Sequence, residues 1–250
     1  FSLRFSPDET VFASCSIDES VRFWNSKTFK TQGKLLQHQA EVWNGEFSPD
    51  QSRFVTYTSK GELGVWSTET KKLTHAFTKH ESPFAMGVFS RDGRSVMGGL
   101  TNGKIHKWSI SENSRLPLLL THNEPLIKLE VDTKGELIVT TAEDGKIRVW
   151  SPEEYKLVKE IVVEEDNYIG GDVWQLSFNQ DGSRMGTFQK DSPLSALSFK
   201  LWSWPEAELI SEYKFPFKVE GTAFSPNGRS IAYGNSENFL ESEKITIGPP

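Results

Sequence analysis

The sequence predicts an all-β protein in which one four-stranded antiparallel unit recurs along the chain, and three observations predict it. Trp24, Trp66, Trp108 and Trp150 stand 42 residues apart. His38, His80 and His122 keep the same spacing, each 28 residues ahead of a tryptophan, and so do Phe5, Phe47, Phe89 and Val131. Between these markers, short runs alternate apolar with polar residues and are punctuated by Ser-Pro-Asp, Lys-Gly and Asp-Gly. Alternation broken by such turns is the pattern of antiparallel hairpins.

The first unit reads as strands over residues 1–5, 11–16 and 21–24, with a fourth ending at Leu35-Leu36. The second repeats the order at 42–47, 54–58, 63–66 and 73–77, and the third at 84–89, 95–99, 105–108 and 116–120. The fourth unit is the clearest: strands at 126–131, 137–141, 146–150 and 157–163, separated by Lys134-Gly135 and Asp144-Gly145. The fifth runs through 173–178, 185–189, 199–202 and 209–213. The sixth is the least regular, with strands at 219–224, 230–233 and 245–247, followed by Gly248-Pro249-Pro250. Proline has no N–H to give to a sheet ladder, so no fourth strand is expected there.

A period of about 40–45 residues, with four strands per unit, a histidine early and a tryptophan late, resembles the WD-repeat β-propeller family. The resemblance implies a single domain over residues 1–250, with blades at 1–37, 38–79, 80–121, 122–165, 166–214 and 215–250. About six blades are visible, and an incomplete last blade suggests an excerpt of a seven-bladed or larger ring. Propellers of this family join a His, a Ser or Thr, an Asp and a Trp into a hydrogen-bond relay within each blade. Matched by position, the relay falls on His122, Thr140, Asp144 and Trp150 in full. Partial sets are Ser14, Asp18 and Trp24; His38, Thr56 and Trp66; His80 and Trp108; and Thr187, Asp191 and Trp202. Lys60 stands where the second unit should carry Asp, and Gly98 and Asn102 interrupt the third. Asn25 or serine follows each of these tryptophans where the family usually has Asp.

Composition narrows the function. The chain has 250 residues, a net charge of −6 and a pI near 5.5, without a run of five like charges. A basic stripe for a nucleic-acid backbone is not visible, so direct nucleic-acid binding is not expected. The single cysteine, Cys15, lies in an alternating apolar run and reads as a small buried hydrophobe. No membrane-spanning run or signal-like segment is present, which points to an intracellular protein, cytoplasmic or nuclear. Three of the five histidines are periodic, which marks them as structural. His106 has no second ligand at metal spacing, and no nucleophile elbow, phosphate loop or cysteine pair occurs. Asp-Gly pairs lack the alternating acids of a calcium loop. No catalytic residue, cofactor or metal is expected.

A partner surface is more readable. In the resembled family, the loops entering first strands and joining second to third strands share one face. That phase assigns Glu41, Trp43, Asp172, Trp174 and Lys190 to the face. Two insertions of five residues, around 164–171 and 191–194, and a further expansion near Phe239 fall in the same phase on units four to six. Tyr168, Leu194 and Phe239 would add apolar contacts there. The expected function is a non-catalytic scaffold for protein or peptide partners. Alternatives are a propeller subunit of a nuclear ribonucleoprotein-assembly or RNA-processing complex, the sensor of a signalling ATPase, or a ring gating a peptidase.

Overall fold

The computed structural model describes residues 2–77, 82–115, 120–152, 154, 156–163, 173–190, 197–215, 219–225, 227–235 and 241–243. They form six antiparallel sheets, and among them there is no helix. The chain divides into two compact units, 1–126 and 127–250.

The first unit holds three sheets. One is β1 (Ser2–Phe5), β2 (Val11–Cys15), β3 (Ser20–Asn25) and β4 (Leu36–Gln37), and the next is β5 (Val42–Phe47), β6 (Arg53–Thr58), β7 (Leu63–Ser67) and β8 (Leu73–Phe77). The third comprises β9 (Phe84–Phe89), β10 (Ser95–Leu100) and β11 (Lys104–Ser109), with two short pieces, β12 (Ser114–Arg115) and β13 (Leu120–Thr121), both paired to β11. The second unit has β14 (Leu126–Val131), β15 (Ile138–Ala142), β16 (Lys146–Trp150) and β17 (Leu157–Val162), then β18 (Val173–Phe178), β19 (Arg184–Lys190), β20 (Leu197–Ser203) and β21 (Leu209–Phe215). Its last sheet is β22 (Val219–Phe224), β23 (Ile231–Asn235) and β24 (Glu241–Glu243).

A turn built from short side chains sets the register between first and second strands. Ser6 Oγ donates to Asp8 Oδ1 at 2.7 Å, and the Val11 N–H donates to Ser6 Oγ at 3.1 Å. Ser48 with Asp50 and Ser90 with Asp92 repeat the hydroxyl-to-carboxylate bond, each at 2.6 Å. The residue after the acid is left-handed: Glu9 (φ 59°), Gln51 (φ 62°) and Gly93 (φ 66°). Such turns suit Ser and Asp because their side chains bond the backbone a few residues on. The serine hydroxyls hold the Asp8, Asp50 and Asp92 carboxyls below the usual carboxylate range. In the fourth sheet Asp132 takes the serine's place. One of its oxygens accepts the N–H groups of Glu136 and Leu137, and the other accepts the Trp204 indole N–H at 3.1 Å.

Sheets within a unit are glued face to face by aromatic and branched side chains. Ala13, Cys15, Val21, Phe23 and Leu36 of the first sheet pack on Val42, Phe47, Phe54 and Trp66 of the second. Phe23 meets Phe47 and Phe54 edge-on, at 5.8 and 5.5 Å between centroids. That geometry adds about 0.5–1.5 kcal/mol per pair beyond the buried area. Phe77 lies 5.4 Å from Trp108 and joins the second sheet to the third. In the second unit, Val139, Ile147 and Val149 pack on Leu176, Met185, Trp202 and Trp204. Phe188, Phe199 and Phe215 then pack on Ile231 and Tyr233. Arginine staples add to this: Arg53 Nη1 donates to Gly93 O at 3.1 Å, and Arg184 Nη1 to Gly228 O at 3.0 Å.

Cys15 is a buried free thiol, and burial pushes its pKa up, so it is held as the thiol. Two strand expectations fall wholly or partly outside the described residues. The last sheet's third strand is Glu241–Glu243, paired with Ile231–Tyr233, whereas the apolar alternation had pointed to 245–247, outside the described residues. The expected strand at 116–120 is represented by Leu120 alone, because 116–119 lie outside the described residues. No helix among the described residues is long and apolar enough to cross a membrane.

Candidate functional site

The recurring tryptophans are seated by one bond. Each of them stands last or next to last in a third strand, and for all but Trp108 the neighbouring second strand supplies a hydroxyl. Trp24 Nε1 donates to Ser14 Oγ at 2.8 Å, and Trp66 Nε1 to Thr56 Oγ1 at 2.9 Å. Trp150 Nε1 donates to Thr140 Oγ1 at 2.8 Å, and Trp202 Nε1 to Thr187 Oγ1 at 2.9 Å. Thr56, Thr140 and Thr187 are fully buried. His38 adds a further link, with Nε2 3.0 Å from Thr56 Oγ1 and its ring tilted on Trp66 at 4.6 Å. Burial lowers the His38 pKa, so the ring is neutral at pH 7. His122 is buried, and its backbone N–H donates to Gly103 O at 2.9 Å.

The third sheet solves the problem differently. Gly98 stands where the hydroxyl would be, and a Cβ there would lie 2.2 Å from the Phe84 ring and 2.9 Å from Trp108. Phe84 fills the space and meets Trp108 edge-on at 5.2 Å. His80 and Asp191 lie outside the described residues.

The turn acids are tied to arginines, which sequence reading missed. Asp18 Oδ2 accepts Arg22 Nη1 at 2.7 Å, and Asp144 Oδ2 accepts Arg148 Nη2 at 2.6 Å. The Ser20 hydroxyl and Arg22 hold the Asp18 carboxyl far below its ordinary pKa. Arg148 Nε also donates to Glu160 Oε2 at 2.8 Å, and Lys146 Nζ to Glu160 Oε1 at 2.8 Å. The signal was available, since an acid stands four residues before an arginine across a tight turn in both repeats. In the second sheet Lys60 donates to Gln39 O at 2.9 Å instead.

At the same ends of the sheets, where the first strands enter, one device recurs. The first-to-second-strand register slips by one residue at Trp43, Ala85, Trp174 and Glu220. Each is the extra residue of a β-bulge, which bends the strand. Trp43 is 42% exposed, with Glu41 immediately before β5 also at the surface. Trp174 at the equivalent position is half-buried, 6.2 Å from the Phe188 ring. The Lys190 backbone closes β19. Tyr168, Asp172, Leu194 and Phe239 lie outside the described residues. Among the described residues no group of three or more His, Cys, Asp or Glu is placed to hold a metal ion.

The family model described as WD domain, G-beta repeat matches residues 1–25 and 115–151. Those segments contain the two repeats that keep both the turn acid and its arginine. No curated protein is significantly similar to the chain.

Proposed function

We propose that the chain, in which residues 1–25 and 115–151 match the WD domain, G-beta repeat model and the described residues form mostly four-stranded antiparallel sheets, is a WD-repeat β-propeller protein acting as a non-catalytic scaffold whose first-strand ends dock a protein or peptide partner. One observation carries the reading: at the β-bulge of β5 the large indole of Trp43 is 42% exposed beside Glu41. Exposed aromatics in a polar setting are the usual anchors of protein interfaces. A rigid sheet holding such an anchor loses little conformational entropy on docking, which favours recognition. Trp174 supports a mixed role, since its contact with Phe188 makes it partly a packing residue. The insertions around 164–171 and 191–194 and the expansion near Phe239 are proposed as further partner contacts in their own right.

The test is affinity capture with immobilised protein. Trp43→Ala should lose at least one captured partner relative to wild type while its melting temperature moves by no more than about 1 °C, as expected for an exposed substitution. Equal recovery of every partner by both proteins would rule out Trp43 as the anchor.

A further inference from the structure

In the second sheet a cavity of about 260 Å³ opens directly over the Trp66–Thr56–His38 cluster. At about 30 Å³ per water this is room for roughly eight or nine waters, or one long side chain. Its origin is legible by comparing repeats. Two residues before the tryptophan, the other sheets carry Arg22, His106, Arg148 and Lys200, and only the second carries glycine, Gly64. Across the ladder from Arg148 stands Glu160, and across from Lys200 stands Glu212, 3.8 Å from its ammonium. Across from Gly64 stands Ala76. The second sheet has therefore lost both members of a cation–acid pair that the fourth and fifth sheets use to cover the same spot.

What remains has the chemistry of the missing cation's receptor. Glu62 lines the cavity and is its only charged lining residue among the described residues, whereas the fourth sheet has Lys146 at that position. Trp66 and neutral His38 form an aromatic wall, Leu73 and Ala76 supply an apolar side for a methylene stem, and Gln37 adds an amide. The neighbouring ammonium of Lys60 is turned to Gln39 O at 2.9 Å and is not part of the lining. The geometry points to a binding site for an arginine side chain of an extended protein segment, its guanidinium paired to Glu62 and stacked on Trp66, standing where Arg148 stands in the fourth sheet. A planar guanidinium suits a carboxylate and an aromatic face together, which a lysine ammonium does not. This site is separate from Trp43 and does not depend on docking there.

The experiment follows the Trp66 indole N–H by NMR while the peptide acetyl-Ala-Arg-Ala-amide is titrated into the full chain. Saturable displacement of that resonance is expected, with at least about tenfold weaker binding of the norleucine and lysine peptides, since charge-assisted bidentate pairs are the strong ones. Glu62→Gln should weaken the arginine peptide by about tenfold or more. Gly64→Arg should abolish its binding by filling the cavity from within; a Cβ at 64 would come 3.0 Å from the Leu73 Cδ1, a side chain exposed enough to move, and 3.1 Å from the buried Trp66 Nε1. Glu62→Gln is a nearly isosteric change at a half-buried position and keeps the test sound if the Gly64→Arg variant folds poorly. Equal binding of the norleucine peptide, or an unchanged affinity in Glu62→Gln, overturns the proposal. Equal binding of the lysine peptide overturns the guanidinium assignment.

Discussion

Replacing Thr56 with valine removes one oxygen and almost nothing else. The side chain keeps its shape, yet two groups lose their partner: the Trp66 indole N–H at 2.9 Å and His38 Nε2 at 3.0 Å. A buried polar group left unpaired costs about 1–3 kcal/mol. Two such groups could together reach twice that, but the cavity against Thr56 and Trp66 gives water a route to them. The lower half of the range therefore applies, about 2 kcal/mol in all. For a chain of this size that is a fall of about 4–8 °C in melting temperature. Urea unfolding followed by tryptophan fluorescence measures it, with the midpoint falling and the slope unchanged. Thr70→Val, on an exposed turn, serves as control and should stay within about 0.5 kcal/mol of wild type. If the two variants were equally stable, the hydroxyl would not be seating the tryptophan and the reasoning would fail.

Stability should also depend on pH through His38. Burial lowers its folded pKa below the ordinary 6.5, so beneath that pH the unfolded chain binds more protons than the folded one. Stability then falls as pH drops from about 7 toward 5. In His38→Gln, urea midpoints across the same window should fall less steeply than in wild type; parallel curves would refute the assignment. Gly98→Ser would put back the missing hydroxyl of the third repeat, but its Cβ would sit 2.2 Å from the Phe84 ring. Overpacking of this kind costs about 1–3 kcal/mol or more, and a variant more stable than wild type would contradict the packing described.

Much of this was legible because the repeat is marked by residues too large to misplace. Trp24, Trp66, Trp108 and Trp150 stand at the ends of third strands, as their period requires. The Ser-Pro-Asp turns were legible too, since Ser and Asp determine local backbone geometry without tertiary help. What sequence could not supply were features created by subtraction or slippage. Gly64 and Ala76 look unremarkable in a strand pattern, yet together they open the cavity. The bulges at Trp43 and Trp174 leave no trace in alternation, because the slip adds one residue to one strand only. Asp18 and Asp144 were read as relay members with Ser14 and Trp24 and with His122, Thr140 and Trp150, and their arginines went unnoticed because the family pattern names no arginine. The strand at Glu241–Glu243 was not legible because it carries no apolar alternation.

Solvent exchange of the indole N–H protons tests most directly whether each tryptophan is locked to the hydroxyl of its own repeat. Measured by NMR in the native chain, the protons of Trp66, Trp150 and Trp202 should exchange slowly and that of Trp43 quickly. Thr56→Val should release Trp66 alone, leaving Trp150 and Trp202 protected. Uniform exchange across all four, or protection of Trp66 untouched by the valine, would contradict the account.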